Sequence, residues 1–204
     1  MKITGGTLLT RDLEFLTLEK RARFGAFPDL NTARKEILQL PGMPSSDLGD
    51  FGRGGVSVRR AMLTALLTAW DAGGAIPEST GILGWNGDGC TAENLAYWRD
   101  YAGCGRTAGR GGLFVATLPT IPYCEVAIAL GCRGGIAYLR TREDTSQLWS
   151  LLAVYAPGTY LCGEITHDTC CMLFADNRNG GHPLPECRTV LCLTPSISPE
   201  RLKP

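Results

Sequence analysis

The chain has 204 residues, of which 44% are hydrophobic and 20% charged, which fits one domain with a sizeable buried core. Lys plus Arg and Asp plus Glu are both 20, so the formal net charge is zero; the basic excess of a nucleic-acid binder is absent, and self-association is favoured. No apolar run approaches the roughly 18 residues of a membrane span, and Met1 to Gly6 lacks a secretory hydrophobic block, so a cytoplasmic location is expected, with the nine cysteines reduced.

Residues 2–10 read as a short strand that ends in a turn. Residues 11–56 are mixed, and this is where the least regular structure is expected. Lys20, Arg21, Arg23, Arg34 and Lys35 form no continuous run, because Phe24, Phe27 and Pro28 interrupt them; a solvated face is the expectation. Pro41, Gly42, Pro44 and the glycines from Gly49 to Gly55 mark a loop. From Ser57 the pattern becomes helical. Val58, Met62, Leu66, Ala69 and Trp70 recur at helical spacing, and Leu63 and Leu67 widen the stripe. Ser57 can cap this helix and Gly73-Gly74 can stop it.

Thr80 to Trp85 reads as a strand, and Gly84 to Gly89 as a tight connection into the next helix. Thr91 can cap that helix, with Glu93 in its first turn and Leu95, Tyr97, Trp98 and Tyr101 along it. A glycine-rich loop follows from Gly103 to Gly112. Leu113 to Leu118 reads as a strand. Pro122 suits a helix start, and Val126 to Leu130 is apolar on every side, as in a buried helix. Gly131 ends it, and Gly135 to Leu139 is the next strand. Leu148, Leu151, Leu152 and Tyr155 define a third amphipathic helix, capped by Asp144 or Thr145. Thr159 to Ile165 and Thr189 to Leu193 are further strands. Strands alternating with helices imply an α/β fold, a sheet covered on both faces.

Cys162, His167, Cys170 and Cys171 form a compact group of zinc-type donors. The paired C-x-x-C spacing is missing, so packing of small apolar side chains is the plainer reading. Cys124 lies in an apolar helix with no basic activator beside it in sequence. Gly84 to Gly89 does not match G-x-G-x-x-G, so no dinucleotide site is read there, and no cofactor is expected.

Leu118-Pro119-Thr120, the Ile121-Pro122 helix start and Ala129-Leu130-Gly131-Cys132-Arg133-Gly134-Gly135 follow one another in an order that resembles the β-ketoacyl synthases of fatty-acid and polyketide assembly. Met1 to Leu8, Arg59-Arg60 with Asp71-Ala72-Gly73, Gly81 to Gly84, Asn94 to Asp100 and Thr159 to Glu164 resemble the elements around that unit. The resemblance implies a three-layer thiolase-like half-fold with a mixed central sheet, one N-terminal-type ketosynthase domain over 1–204. It also implies a nucleophilic cysteine at the turn after the Gly135 strand. Glu143 stands at that position here, or Arg142 or Asp144 if the register shifts. Glu143 then either begins a helix as an acid at its positive end, or replaces the nucleophile. The expected function is an accessory ketosynthase-like protein, associated with itself or with a ketosynthase, and with acyl carrier protein as a further partner. The alternatives are an active acyl-thioester-processing enzyme, and a metal or redox site on the Cys162–Cys171 group. The ketosynthase resemblance also implies pairing through Gly135 to Leu139, flanked by Tyr123 to Leu130.

Overall fold

The computed structural model describes residues 2–87, 89–105, 111–140, 157–166 and 168–178. Seven strands form one mixed sheet: β1 (Lys2–Leu9), β2 (Phe15–Thr17), β3 (Arg23–Phe24), β4 (Gly81–Asn86), β5 (Ile136–Arg140), β6 (Thr159–Ile165) and β7 (Cys170–Asp176). Their order across the sheet is β3-β2-β1-β7-β6-β4-β5. β6, β4 and β5 run parallel, and the remaining neighbours are antiparallel. The helices are α1 (Leu30–Leu38), α2 (Val56–Asp71), α3 (Thr91–Cys104), α4 (Gly111–Val115) and α5 (Ile121–Leu130).

α2 is the spine of the core. Its apolar stripe is wide, and Val58, Ala61, Met62, Leu63, Leu66 and Leu67 are all buried between α5 and the strands β1 and β7. Val56 starts the helix after Gly55, whose extended backbone offers no side-chain cap. Ser57 therefore sits one residue inside the helix, and its hydroxyl donates to the Glu93 carboxylate instead of capping. At the other end Asp71 is 4% exposed. Its carboxylate accepts from the backbone N–H of Gly6 (2.9 Å), Glu19 (2.9 Å) and Lys20 (2.8 Å). One buried charge thus ties the helix end to β1 and to the turn after β2, with three charge-assisted bonds offsetting its desolvation.

The 11–56 stretch is loop-rich yet carries β2, β3 and α1, and Leu48 and Phe51 reach the core. Asp29 caps α1 by accepting from Thr32 N–H at 2.8 Å, and Leu30, Ala33 and Ile37 face inward.

Two differences from the sequence reading concern the connection between β4 and β5. Leu113 to Leu118 is not a strand: α4 covers Gly111–Val115, and hydrogen-bonded turns follow. A short apolar run does not choose between strand and helix by pattern alone, and here β5 already occupies the place beside β4. Nor is α5 buried all round. Tyr123, Val126, Ala127 and Ala129 are buried, but Ile128 is 55% exposed.

The sheet's side chains alternate between two clusters. Ile82, Leu161, Cys170, Met172 and Phe174 join the helices in the main core. Leu83, Trp85, Cys162, Leu173 and Ala175 form a second cluster on the opposite face. The sheet's two ends differ. β3 is two residues long, and its Arg23 pairs with Glu14 at 2.8 Å; β5 is five residues long and reads Ile-Ala-Tyr-Leu-Arg. No helix among the described residues is long and apolar enough to cross a membrane.

Candidate functional site

The three parallel strands end side by side. Asn86 closes β4, level with Arg140 at the end of β5, and Ile165 closes β6. The chain passes from β4 to β5 on one side, then later to β6 on the other. Open α/β sheets place ligand crevices outside the carboxyl ends of strands where the order reverses in this way.

Asn86 holds this end together. It is 5% exposed. Its amide donates to the Ile165 carbonyl at 2.8 Å and to the Gly89 carbonyl at 3.3 Å. Its Oδ1 accepts from Gly89 N–H at 2.5 Å and from the Tyr138 hydroxyl at 2.8 Å. One side chain therefore links the ends of β4 and β6 and the middle of β5 to the loop that leaves β4. Gly89 turns that loop with φ of 61°, in the left-handed region that glycine enters without strain.

Beneath this lies Tyr123, 1% exposed. Gly84, paired with Gly163 across β4 and β6, leaves a slot on the core side. The Tyr123 ring fills it so closely that a Cβ on Gly84 would lie 2.1 Å from ring carbon Cζ. The Tyr123 hydroxyl is shared between the carbonyls of Gly163 (3.2 Å) and Trp85 (3.3 Å). Burial pushes the phenol well above its usual pKa.

Next to Tyr123 is a hollow bounded by Ser57, Val58, Cys90, Glu93, Pro119 and Thr166. Its free volume is about 30 Å³. That is room for one or two waters, far below the roughly 300 Å³ at which ligand pockets begin.

The thiols nearby are not activated. Burial, aided by Glu93, pushes Cys90 up to about 11, and burial pushes Cys132 up to about 11. Cys170 and Cys171 are pushed up to about 12, again chiefly by burial. Cys124 is also raised, by burial and then by Glu125. A nucleophilic thiolate needs the opposite shift.

Of the residues singled out from the sequence, Glu143, Arg142, Asp144 and His167 lie outside the described residues, as does the Leu148–Tyr155 helix. Cys162, Cys170 and Cys171 are all buried, but not as one group. Cys170 joins the core beneath α2, while Cys162 points into the cluster on the opposite face, which its strand-neighbour Cys171 also faces. Among the described residues no group of three metal donors converges. Sequence reasoning missed Asn86, Tyr138 and the Ser57–Glu93 pair. For Asn86 a signal existed: an Asn before Gly at a strand end commonly bonds its own turn.

α3 and α4 stand apart from the core. No α3 side chain is buried. Tyr97 stacks on Tyr101 at 6.0 Å and meets Phe114 edge-on at 5.8 Å, while Trp98 meets Tyr101 at 5.8 Å. The arm has this aromatic spine and an uncovered outer surface.

No family model and no curated protein matches the sequence. Among solved structures, the chain is similar to a chain in the complex of the ketosynthase ApeO with its chain length factor ApeC from Xenorhabdus doucetiae. The match has 13% identity and a TM-score of 0.57, and covers 88% of this chain and 79% of that one. The mixed seven-stranded sheet with its helices is thus the thiolase-like α/β fold expected from the sequence. At that identity the likeness establishes the fold.

Proposed function

We propose that this chain, as one domain over 1–204, is a ketosynthase-like accessory protein that carries no acyl-binding thiolate. It works paired with a chain of the same fold in fatty-acid, polyketide or aryl-polyene assembly. The supporting observation is the sequence that follows β5. The family resemblance asks for a cysteine there, yet the sequence has no cysteine between Cys132 and Cys162. Glu143, or Arg142 or Asp144 in a shifted register, stands there instead. A carboxylate suits a positive helix end, but it forms no acyl thioester and so cannot hold the chain during condensation. The raised thiols of Cys90, Cys132, Cys170 and Cys171 leave no substitute nucleophile among them.

Pairing is supported by the solved complex, which joins a ketosynthase to a chain length factor, and by the place of β5 at one end of the sheet among the described residues. The partner is a second copy or a cysteine-bearing ketosynthase, with an acyl carrier protein as the source of acyl groups. The test is to incubate the full chain with acyl- and malonyl-loaded carrier protein and read the intact mass. No covalent adduct is expected; an acyl adduct on any cysteine would overturn the accessory reading.

A further inference from the structure

The carboxyl ends of β4, β5 and β6 are where an open α/β sheet keeps a ligand crevice, yet the hollow there has a free volume of only about 30 Å³. One side of it is core: Val58 on α2, Tyr123 on α5 and Thr166 after β6. The other side is the root of the α3–α4 arm, with Cys90 and Glu93, and Pro119 on the return to α5. The arm is built to move as one piece. α3 packs on α4, and Tyr97 of α3 meets Phe114 of α4 edge-on at 5.8 Å. No α3 side chain is buried, so little apolar surface holds the arm down, and elements of this kind open at low cost. Gly89 stands two residues before α3 with φ of 61°, and Gly105 directly after it with φ of 82°; such positions absorb backbone rotation. Across the hollow, the Ser57 hydroxyl donates to the Glu93 carboxylate. This charge-assisted bond joins the first turn of α2 to the first turn of α3.

We infer that the α3–α4 arm is a hinged lid over the ends of the parallel strands, latched by the Ser57–Glu93 bond, and that the hollow is the closed form of a ligand-sized crevice. Pivoting the arm at Gly89 breaks the latch, draws Cys90 and Glu93 away from Val58, and uncovers Thr166 and the edge of Tyr123. The bonds that Asn86 makes with Ile165 and Tyr138 lie on the core side of the pivot and stay in place. The strand ends therefore keep their geometry while the space above them widens. The lid is independent of the accessory reading: it governs what enters the site, not whether a thiolate waits there.

The test is thiol accessibility in the full chain, with near-ultraviolet circular dichroism to confirm native packing. Three cysteines report on three places. Cys104 at the end of α3 is exposed, Cys90 beside the hollow is 9% exposed, and Cys170 lies fully buried in the core. Iodoacetamide labelling, read for each cysteine by peptide mass spectrometry, should be fast at Cys104, slower at Cys90 and slowest at Cys170. Ser57→Ala and Glu93→Ala should each raise the Cys90 rate at least about tenfold, the worth of a hydrogen bond to a charged group, with the Cys170 rate unchanged. Glu93→Gln, which keeps an acceptor, should fall between. A bulky maleimide dye should gain at Cys90 by a similar factor, because the open crevice admits a molecule of ligand size. A Cys90 rate unmoved by both alanine variants overturns the latch. Cys90 and Cys170 accelerating together would mean unfolding, and the hinge is then wrong. If Cys90 reacts as fast as Cys104 in wild type, the hollow is not closed; if only iodoacetamide gains, the crevice is not ligand-sized. Should the alanine variants lose native packing, Glu93→Gln is judged in their place, and an unchanged Cys90 rate again overturns the latch.

Discussion

Replacing Gly84 with alanine tests how the floor of the candidate site is built. The new methyl would lie 2.1 Å from Cζ of Tyr123 and 2.3 Å from both Cε atoms. Ordinary carbon contact begins near 3.5 Å, so ring or strand must move by more than 1 Å. Overpacking of this kind costs about 1–3 kcal/mol. A displaced ring also loosens the one hydrogen bond that the hydroxyl shares between Trp85 and Gly163, worth about 0.5–1.5 kcal/mol in all. The expected total is about 1.5–4.5 kcal/mol, a large part of a typical folding free energy. For a chain of this length that is a melting-point drop of about 3–18 °C. Urea and thermal unfolding, followed by circular dichroism at one fixed protein concentration, would measure it. Tyr123→Leu removes the atoms that clash, so the double variant should cost at least about 1 kcal/mol less than the sum of the singles. A Gly84→Ala variant within 0.5 kcal/mol of wild type, or strict additivity in the double variant, would refute the slot.

Asp71→Ala leaves the N–H groups of Gly6, Glu19 and Lys20 without their acceptor; a loss of about 3 kcal/mol or more is expected by urea unfolding, with Asp71→Asn costing roughly half, and a loss below 1 kcal/mol would contradict the anchor. The cysteines set a pH dependence. Cys90, Cys132, Cys170 and Cys171 titrate higher when folded than the ordinary 9.0, so the unfolded chain gives up these protons first. Stability is then full below about pH 9 and falls as pH climbs toward 12. Under reducing conditions the urea-unfolding free energy should be lower at pH 10 than at pH 8 by at least about 1 kcal/mol, and an unchanged value would remove the buried-thiol assignment.

Much of this architecture was legible in the sequence. The stripe of α2 showed because α5 covers one side of the helix and the sheet another, which makes its apolar run long and wide, and Pro122 and Gly131 punctuated α5. α1 was missed although Asp29, Leu30, Ala33 and Ile37 carry a cap and an apolar stripe; interleaved Arg34, Lys35 and Glu36 made the segment resemble a solvated surface. β7 was missed for another reason. It lies between β1 and β6 and is buried on both faces, so Cys170 to Ala175 shows no alternation to read. The site was the least legible part. Asn86, Tyr138 and Ser57 acquire their partners from elements 36 to 79 residues away in the chain, and local spacing does not encode such contacts.

The unequal ends of the sheet set a limit on assembly. At β3 only two residues remain to offer a ladder, and Arg23 is already engaged with Glu14; at β5 five residues present an apolar strand. Strands added edge to edge can therefore join at one side only. Were two copies to pair there, the fourteen strands of their described residues would end in a blunt β3 on each outward side, which opposes growth into a fibre.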